Sequence, residues 1–240
     1  MMVAAAAPPS IVRLGRVDST QVVAFKLAAE GAADRTVVLA ESQAGGRGRR
    51  GRAWHDEPGA SLLASIILRP RLEPSRLATL SLTAAVAVAE ALAAVAGLAP
   101  RLKWPNDVLV DGYKVAGILL ESRLQAAPLV VLGIGVNVRQ ATFPPDIAAR
   151  ATSLRLATGR DITRDAVLTA VLDSLDRWRA RLEREGFEPV RARWRALADT
   201  LGRPVSVDGV SGVAVDVDDD GALLVDDGTG RRRIVAGEIG

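Results

Sequence analysis

Residues 45–54 constrain the fold more than any other stretch, because they read Gly-Gly-Arg-Gly-Arg-Arg-Gly-Arg-Ala-Trp. Four glycines make a regular element entropically costly, and four guanidinium groups cannot be buried without anionic partners. The stretch, here called the arginine loop, therefore predicts a loop that binds an anion. Predicted strands at residues 37–43 and 61–68 flank it, which places it inside a compact domain rather than in a disordered Arg-Gly tail.

The glycines of the arginine loop also match the dinucleotide-binding pattern G-x-G-x-x-G, at Gly46, Gly48 and Gly51. That pattern requires a helix directly after it, because the helix N-terminus holds the pyrophosphate. A short polar segment and a strand-like run follow instead, so a Rossmann site is disfavoured. The Walker pattern does not occur in the sequence.

The positive charge is concentrated in the arginine loop. The chain has a net charge of +3, and without the four arginines of the loop this would be −1. Such a local concentration favours a small, multiply charged ligand such as a nucleotide phosphate over a long polyanion. A nucleic-acid-binding module remains an alternative because the pI is about 9.9, but only 3% of the residues are aromatic.

The composition indicates a folded chain with a hydrophobic core. Its 240 residues can form one large domain, or a medium domain with a small one, and 49% of them are hydrophobic. The absence of cysteine excludes disulfides, thiolate metal sites and a cysteine nucleophile, and is compatible with a cytoplasmic location. Residues 1–10 lack the features of an export signal and predict a disordered tail. His55 has no partners at metal-ligand spacing and predicts a surface residue.

Residues 77–99 resemble a membrane span because they are almost wholly apolar. Most of them are alanine or valine, however, and alanine contributes little transfer free energy. Glu90 would lie inside the span, where an ionisable side chain is costly. The segment therefore predicts a buried helix, and no contact with a membrane is expected.

Alternation and helical periodicity predict the remaining elements up to residue 200. Strands are expected at 11–17, 37–43, 61–68, 101–110, 113–124 and 129–138, and helices at 21–30, 77–99, 163–185 and 187–198. Asp18-Ser19-Thr20 can cap the first helix. From residue 202 onward, short apolar runs at 204–207, 212–217, 222–225 and 232–236 alternate with Asp/Gly turns, which predicts a small β barrel or sandwich.

A two-residue hairpin closed by Asp111-Gly112 would bring charged groups together. In that hairpin Leu109 faces Lys114 and Asp107 faces Ala116, so Asp107 and Lys114 project from the same face of the sheet. A surface ion pair would explain this arrangement alone.

Two neighbouring motifs favour a binding site over a surface ion pair. Lys103-Trp104-Pro105-Asn106-Asp107 adds a second amine, an amide and a ring, and Gly117 leaves space for a ligand. Pro105 predicts a strand start or a kink within this motif. Gly133-Ile134-Gly135-Val136-Asn137 predicts a strand with two positions that lack side chains and an amide at its end.

Together these motifs resemble the biotin protein ligase family, the biotin–[acetyl-CoA-carboxylase] ligases. The likeness runs from residue 11 to the end of the chain and is carried by Asp18-Ser19-Thr20, by Gln43 with the arginine loop, by Lys103-Trp-Pro-Asn-Asp107, Lys114-Val-Ala-Gly-Ile-Leu119 and Gly133-Ile-Gly-Val-Asn137, and by Gly237-Glu-Ile239. The resemblance implies an α+β fold: a mixed-sheet catalytic domain over residues 11–200 and an SH3-like β barrel over residues 201–240. Regulatory relatives carry a winged helix-turn-helix before the catalytic domain, whereas only the tail of residues 1–10 precedes it here. A monofunctional form without sequence-specific DNA binding is expected.

The resemblance also implies the roles of individual residues. Biotin would be bound by Ser19, Thr20, Gln21, Gln43, Arg47, Gly48, Arg49, Lys114 and Gly117. ATP would be bound by Gly46, Arg50, Arg52, Trp54, Lys103, Asn106 and Asn137. Lys114, Arg49 and Arg52 would be catalytic, and Asp107 would be the ligand of a Mg²⁺ that accompanies ATP. Gln21 departs from the family, which usually has Asn at this position.

The implied activity has two steps. Biotin and ATP form biotinyl-5′-AMP, and biotin is then transferred to a lysine of the biotin carboxyl carrier domain of acetyl-CoA carboxylase or a related carboxylase. The expected form is a monomer or weak homodimer. A lipoate or octanoyl ligase or transferase of the same superfamily is the alternative, and would use the fold without the full arginine loop.

Overall fold

A mixed seven-stranded sheet forms the larger part of the protein, as the family resemblance implies. The computed structural model describes residues 9–123 and 128–239. The strand order is β1-β2-β3-β7-β6-β5-β4, with β1 and β2 parallel and all other neighbours antiparallel. The strands are β1 Ile11–Val17, β2 Val37–Gln43, β3 Ser61–Leu68, β4 Arg101–Lys103, β5 Asp107–Val110, β6 Tyr113–Arg123 and β7 Leu129–Asn137.

Helices cover the two faces of this sheet unequally. On one face, α2 and α5 pack together in the main apolar core, and α6 lies beside them. On the other face, α1 packs over Val38, Ile67 and Val131 and leaves the rest of that face open. The helices are α1 Thr20–Ala29, α2 Thr79–Ala96, α3 Pro145–Ala148, α4 Leu154–Thr158, α5 Arg164–Glu185 and α6 Glu188–Leu197.

The apolar helix α2 lies in the core. By length and composition alone, Pro74–Ala96 could cross a membrane, with a mean hydropathy of 1.8, but 67% of its apolar window is buried inside the fold. The only acid of α2, Glu90, accepts a hydrogen bond from the indole N–H of Trp178 at 2.8 Å and pairs with Arg193. Partners for its charge therefore come from α5 and α6.

Residues 101–110 form two strands rather than one continuous strand, and the break falls at Pro105, where a strand start or a kink is predicted. β4 and β5 pair with each other, and Trp104, Pro105 and Asn106 connect them. The backbone N–H of Trp104 donates to Thr200 Oγ1 at 2.8 Å, and its indole donates to Gly221 O at 3.1 Å. Trp104 therefore anchors the C-terminal part of the chain. Strand propensity depends on local sequence and cannot predict such long-range contacts.

The C-terminal residues form a separate four-stranded antiparallel sheet in the order β11-β10-β9-β8. Its strands lie within one or two residues of the predicted runs: β8 Pro204–Val207, β9 Val210–Val217, β10 Leu223–Asp226 and β11 Arg231–Ile234. In the turn between β9 and β10, Asp219 pairs with Arg191 of α6 and Asp220 with Arg76 before α2. These ion pairs join the second sheet to the helices of the first.

Parts of three predicted segments lie outside the described residues. They are residues 1–8 of the predicted tail, Leu124 at the end of the predicted strand 113–124, and Gly240 at the end of the predicted barrel. The short helices α3 and α4 were not predicted; the other helices and strands begin and end within three residues of the predicted bounds.

Candidate active site

The floor of the candidate site is a row of facing residues that crosses five strands. From β3 to β4 the paired positions are Leu63, Gly135, Gly117, Asp107 and Lys103. Directly opposed residues share a face of the sheet. The two glycines make a depression in the middle of the row, with an apolar side chain at one end and an acid and an amine at the other.

The hairpin register observed in this row differs from the predicted register. The turn pairs Val110 with Tyr113 and Leu109 with Lys114 as expected, but a bulge then shifts the pairing. Asp107 lies opposite Gly117 rather than the predicted Ala116, because a bulge inserts one extra residue on one strand. The prediction that Asp107 and Lys114 meet is nevertheless confirmed, since Lys114 Nζ lies 2.6 Å from Asp107 Oδ1.

Helix α1 begins beside the depression, one residue earlier than predicted. Ser19 is its N-cap, as expected, and its hydroxyl accepts a hydrogen bond from the backbone N–H of Gln21 at 3.3 Å. The backbone N–H of Thr20 donates to Gln43 Oε1 at 2.7 Å, which ties the helix start to the end of β2. The N-terminus of a helix presents N–H groups and a partial positive charge, so this wall favours a ligand that carries hydrogen-bond acceptors.

The arginine loop folds back on itself between β2 and β3. The backbone N–H of Gly48 donates to Arg52 O at 2.7 Å, and that of Trp54 donates to Gly46 O at 2.9 Å. The tip is a single 3-10 turn, Arg49–Gly51. The loop is thus more regular than its composition predicts, although it still connects neighbouring strands as expected.

The four arginines of the loop have two kinds of environment. Arg50 lies 2.5 Å from Asp208, and Arg52 pairs with Glu238, both in the C-terminal part of the chain. Within residues 9–123 and 128–239, no carboxylate lies at ion-pair distance from Arg47 or Arg49. Burial lowers the pKa of Arg49, and the attraction of the more distant Glu238 only partly opposes this effect. A partly buried cation without a close counterion is suited to an anionic ligand.

The ring of Trp54 lies directly on the glycine depression. A Cβ atom at Gly135 would be 2.6 Å from the ring, and one at Gly117 would be 3.1 Å from it. The distance at Gly135 is shorter than a real Cβ contact, so the ring requires glycine there, and the distance at Gly117 is tight enough to favour glycine. Within the described part of the chain, the buried indole N–H of Trp54 has no hydrogen-bond partner.

The ion pair of Asp107 and Lys114 lies beside this ring, with the lysine over its face. Lys114 Nζ is 5.8 Å from the centre of the Trp54 ring and its side chain is 36% exposed, so its ammonium group faces the cavity. The side-chain amide of Asn106 donates to Ile118 O at 2.8 Å. Asn137, at the end of β7, donates to Thr152 O at 3.0 Å.

These elements enclose a cavity of about 720 Å³, a volume typical of small-molecule sites. Fifteen of the seventeen residues predicted for the site line it: Ser19, Thr20, Gln21, Gln43, Arg47, Gly48, Arg49, Arg52, Trp54, Lys103, Asn106, Asp107, Lys114, Gly117 and Asn137. Gly46 and Arg50 do not. Gly46 lies in the stem of the loop against Gln43, and the guanidinium of Arg50 is directed to Asp208.

Several lining residues were not among the predicted site residues. Ser65 resembled any other residue of a buried strand, and Glu238 was noted only as part of a terminal motif. Phe143, Ile147 and Arg150 come from the segment between β7 and α5, which carries no recognisable motif. That segment reaches the site because Ala151 forms a parallel bridge with Lys114.

The described residues contain no cluster of three or more His, Cys, Asp or Glu side chains that could hold a metal ion. Asp107 is a single carboxylate on the floor, and it already contacts Lys114. Magnesium sites on nucleotides often use only one or two protein carboxylates together with the phosphates. The donors therefore fit a metal that arrives with a nucleotide, and they do not form a resident metal site.

Comparison with known proteins identifies the family. The model of the biotin/lipoate A/B protein ligase family matches residues 14–137, more than half of the chain. The protein belongs to this family. Residues 200–239 match the model of the biotin protein ligase C-terminal domain.

Full-length ligases resemble this family member closely. The biotin–[acetyl-CoA-carboxylase] ligase of Paracoccus denitrificans is 40% identical over 94% of this chain and 98% of its own length. The bifunctional ligase/repressor BirA of Bacillus spizizenii is 35% identical over 93% of this chain and 71% of its own length. Among solved structures, the biotin protein ligase of Aquifex aeolicus in complex with biotin and ATP has a TM-score of 0.85 and 33% identity, covering 96% of this chain and 97% of that one.

Proposed function

We propose that this protein is an ATP-dependent biotin ligase that forms biotinyl-5′-AMP and transfers biotin to a lysine of a carboxylase carrier domain. The observation that carries the proposal is the floor row, in which Gly135 and Gly117 make a depression that ends at the Asp107–Lys114 pair. The apolar ring of Trp54 lies on this depression, and its exposed part suits the flat, uncharged end of an acid such as biotin. The cations beyond it suit a carboxylate and phosphates.

The biotin end of the site is proposed to lie between α1 and the sheet. Ser19, Thr20, Gln21 and Gln43 form its polar wall, and Gly117 forms part of its floor. Arg47, Gly48 and Arg49 of the arginine loop would close over it. The carboxylate of biotin would then point along the floor row toward Lys114.

The ATP end is proposed to lie where the row reaches β5 and β4. Arg52, Trp54, Lys103, Asn106 and Asn137 are the residues that would contact the nucleotide. Arg50, which pairs with Asp208 outside the cavity, is left out of this set. Magnesium would arrive with ATP and neutralise phosphate charge, with Asp107 as its protein ligand.

In the first step, Lys114 and the arginines would reduce the repulsion between the two reacting anions. A carboxylate oxygen of biotin attacks the α-phosphorus of ATP and pyrophosphate leaves, so two anions must approach each other. Fixed ammonium and guanidinium groups stabilise that approach without reorganisation. Lys114 is held for this role by Asp107 at 2.6 Å.

The second step requires protection of the adenylate. The acyl phosphate anhydride would be hydrolysed by water, and a glycine-rich loop that closes over it excludes water. The amine of a carrier lysine then attacks the acyl carbon and AMP leaves. The proposed enzyme is cytoplasmic and uses biotin, ATP with Mg²⁺, and the carrier domain.

The proposal is tested with purified protein, ATP, Mg²⁺ and a biotin carboxyl carrier domain. Biotin, lipoate and octanoate are supplied separately, and the mass of the carrier is measured. We expect modification with biotin alone, its loss in Lys114→Ala, and its retention in Lys26→Ala, since Lys26 lies on α1 outside the cavity. Modification with lipoate or octanoate instead of biotin would replace the proposal by the alternative acyl ligase, and an unmodified carrier with all three acids would refute it.

A further inference from the structure

The backbone of Lys114 is held by a segment from another part of the chain. Its N–H donates to Arg150 O at 2.8 Å, and its C=O accepts from the backbone N–H of Thr152 at 2.9 Å. The two bonds form a parallel bridge. The pairing of β6 with β7 starts only at Ala116, so residues 150–152 take the place of β7 beside the lysine. Residues 150–152 are here called the lysine clamp.

The side chain of Asn137 holds the lysine clamp at the end of β7. Its Nδ2 donates to Thr152 O at 3.0 Å, and the residue is buried. A carbonyl oxygen cannot donate, so the nitrogen of the Asn137 amide must be the end that faces Thr152. Thr152 is therefore bound twice, because its N–H bonds to Lys114 and its C=O bonds to Asn137. A shift of the Asn137 amide would be transmitted to the backbone of Lys114.

Gln140 fixes the other end of the Asn137 amide. Its Nε2 donates to Asn137 Oδ1 at 3.2 Å and to the hydroxyl oxygen of Ser61 on β3. Because Asn137 Oδ1 can only accept, the amide nitrogen of Gln140 must face it. The hydroxyl of Ser153 donates to the backbone C=O of Gln140 at 2.7 Å. Both the side chain and the backbone of Gln140 are thus tied to residues next to the clamp.

Gln140 lies behind the site rather than in it. Lys114, Asn137 and Arg150 line the cavity, whereas Gln140 and Ser61 do not. Gln140 is only 2% exposed, and its Oε1 is buried without a hydrogen-bond partner in the part of the chain that the structure describes. An unpaired buried acceptor is costly, so the two hydrogen bonds that Gln140 donates determine how its amide is oriented.

We propose that Gln140 is a positioning residue that acts through Asn137 and the lysine clamp to hold Lys114 in place for the adenylation step. The inference deepens the proposed function and rests on it, since it takes the role of Lys114 from there. A lysine side chain is long and flexible, so its ammonium group is placed precisely only if its backbone is fixed. Misplacing a reacting group by about 1 Å can slow a reaction by roughly a hundredfold.

The first measurement is the hydrogen exchange of backbone amides in the free protein, followed by NMR. Gln140→Met keeps the length of the side chain and removes its donors. The N–H groups of Thr152 and Lys114 should exchange about tenfold faster, because one supporting hydrogen bond is lost. Thr83→Val is the matched control, since it removes a buried hydrogen bond to Thr79 O on α2, away from the cavity. It should leave exchange at Thr152 and Lys114 unchanged.

The second measurement is a single turnover of biotin adenylation, followed by the release of pyrophosphate. At saturating ATP, Gln140→Met should lower the rate constant about tenfold. The KM for biotin should change by less than about twofold, because the residues proposed to bind its ring are not displaced. Thr83→Val should keep the rate constant of the wild type. Ser61→Ala removes one partner of Gln140 and should lower the rate constant by a smaller factor, which keeps the test available if Gln140→Met does not fold.

Several outcomes would overturn the inference. Unchanged exchange at Thr152 and Lys114 in Gln140→Met would show that the two amides do not hold the clamp. Faster exchange with an unchanged rate constant would show that the clamp does not position Lys114 for the reaction. A raised KM for ATP alone would show that Gln140 serves only the contact of Asn137 with the nucleotide. A wild-type protein that does not adenylate biotin would overturn the proposed function itself, and the catalytic role of the clamp with it.

Discussion

Replacing Arg49 by alanine should separate the formation of the adenylate from its retention. Arg49 lines the cavity, no carboxylate of the described residues lies at ion-pair distance from it, and burial lowers the pKa of its guanidinium. It is therefore poorly compensated in the free protein and should gain a partner only when an anion binds. Removing it should leave the unfolding midpoint unchanged or slightly higher.

The magnitude follows from the loss of one charge-assisted hydrogen bond. Such a bond contributes about 1.5–3 kcal/mol. At about 1.4 kcal/mol per factor of ten, the adenylate should escape roughly ten- to a hundredfold faster. Formation of the adenylate should slow but persist, because Lys114 and the other arginines remain at the site.

The assay measures AMP formed per biotin attached to the carrier, together with biotin attached to an unrelated protein in the same tube. Released biotinyl-5′-AMP reacts with exposed lysines, so Arg49→Ala should raise the ratio well above one and label the bystander. Arg50→Ala is the matched control from the same 3-10 turn, since its guanidinium is paired with Asp208 outside the cavity. Its ratio should stay near one.

Two results would contradict this reasoning. A ratio near one for Arg49→Ala, without labelling of the bystander, would show that the arginine loop does not retain the adenylate. Equal leakage from Arg49→Ala and Arg50→Ala would show that the difference in their surroundings has no functional meaning.

Three further predictions concern the loop, the floor and the contact between α6 and the second sheet. Trypsin should cleave the free protein in the arginine loop and spare it in the presence of biotin and ATP, as read by mass spectrometry; equal cleavage would exclude closure on ligand. Gly135→Ala should displace the Trp54 ring by roughly 1 Å and raise the KM for biotin about tenfold, whereas Gly15→Ala, with open space around it, should not. Burial raises the pKa of Asp216, but hydrogen bonds from Arg195 and a backbone N–H outweigh this and hold it below the usual 3.8. The stabilisation is therefore complete above 3.8 and is lost as the pH falls through the lowered pKa; Asp216→Asn should lower the thermal midpoint at neutral pH, and an equal loss in strong acid would contradict this.

The fold could be predicted where the signal is local. Continuous apolar runs gave β3 and β7, and the helical period with its glycine stop gave α5. The prediction was incomplete where a distant residue decides the backbone. Residues 101–110 bend at Trp104 because that side chain reaches Gly221, more than a hundred positions later.

For the candidate site, too, only features with a local sequence signal could be predicted. The charged residues were found because a loop rich in arginine and a Lys-Trp-Pro-Asn-Asp motif are unusual in composition. The reasons for the glycines were not accessible, since Gly135 receives the ring of Trp54 and Gly133 receives the amide of Gln21. Both partners lie on other elements, and only the strand register brings them together. Phe143, Ile147 and Arg150 were missed because their segment has no pattern of its own.

The four arginines of the loop are chemically alike but not interchangeable. In the free protein, the C-terminal part of the chain supplies Asp208 and Glu238 as substitute anions for Arg50 and Arg52. The arginine side chains of these pairs are 53% and 66% exposed, and exposed ion pairs contribute only about 0–1 kcal/mol, so a bound ligand can replace them at little cost. Arg52 lines the cavity and can exchange Glu238 for a phosphate, whereas Arg50 faces away and can keep Asp208. Arg47, Arg49 and Arg52 would then turn to the ligand, and the exchange of Glu238 for a phosphate would make the C-terminal part of the chain a working part of the site.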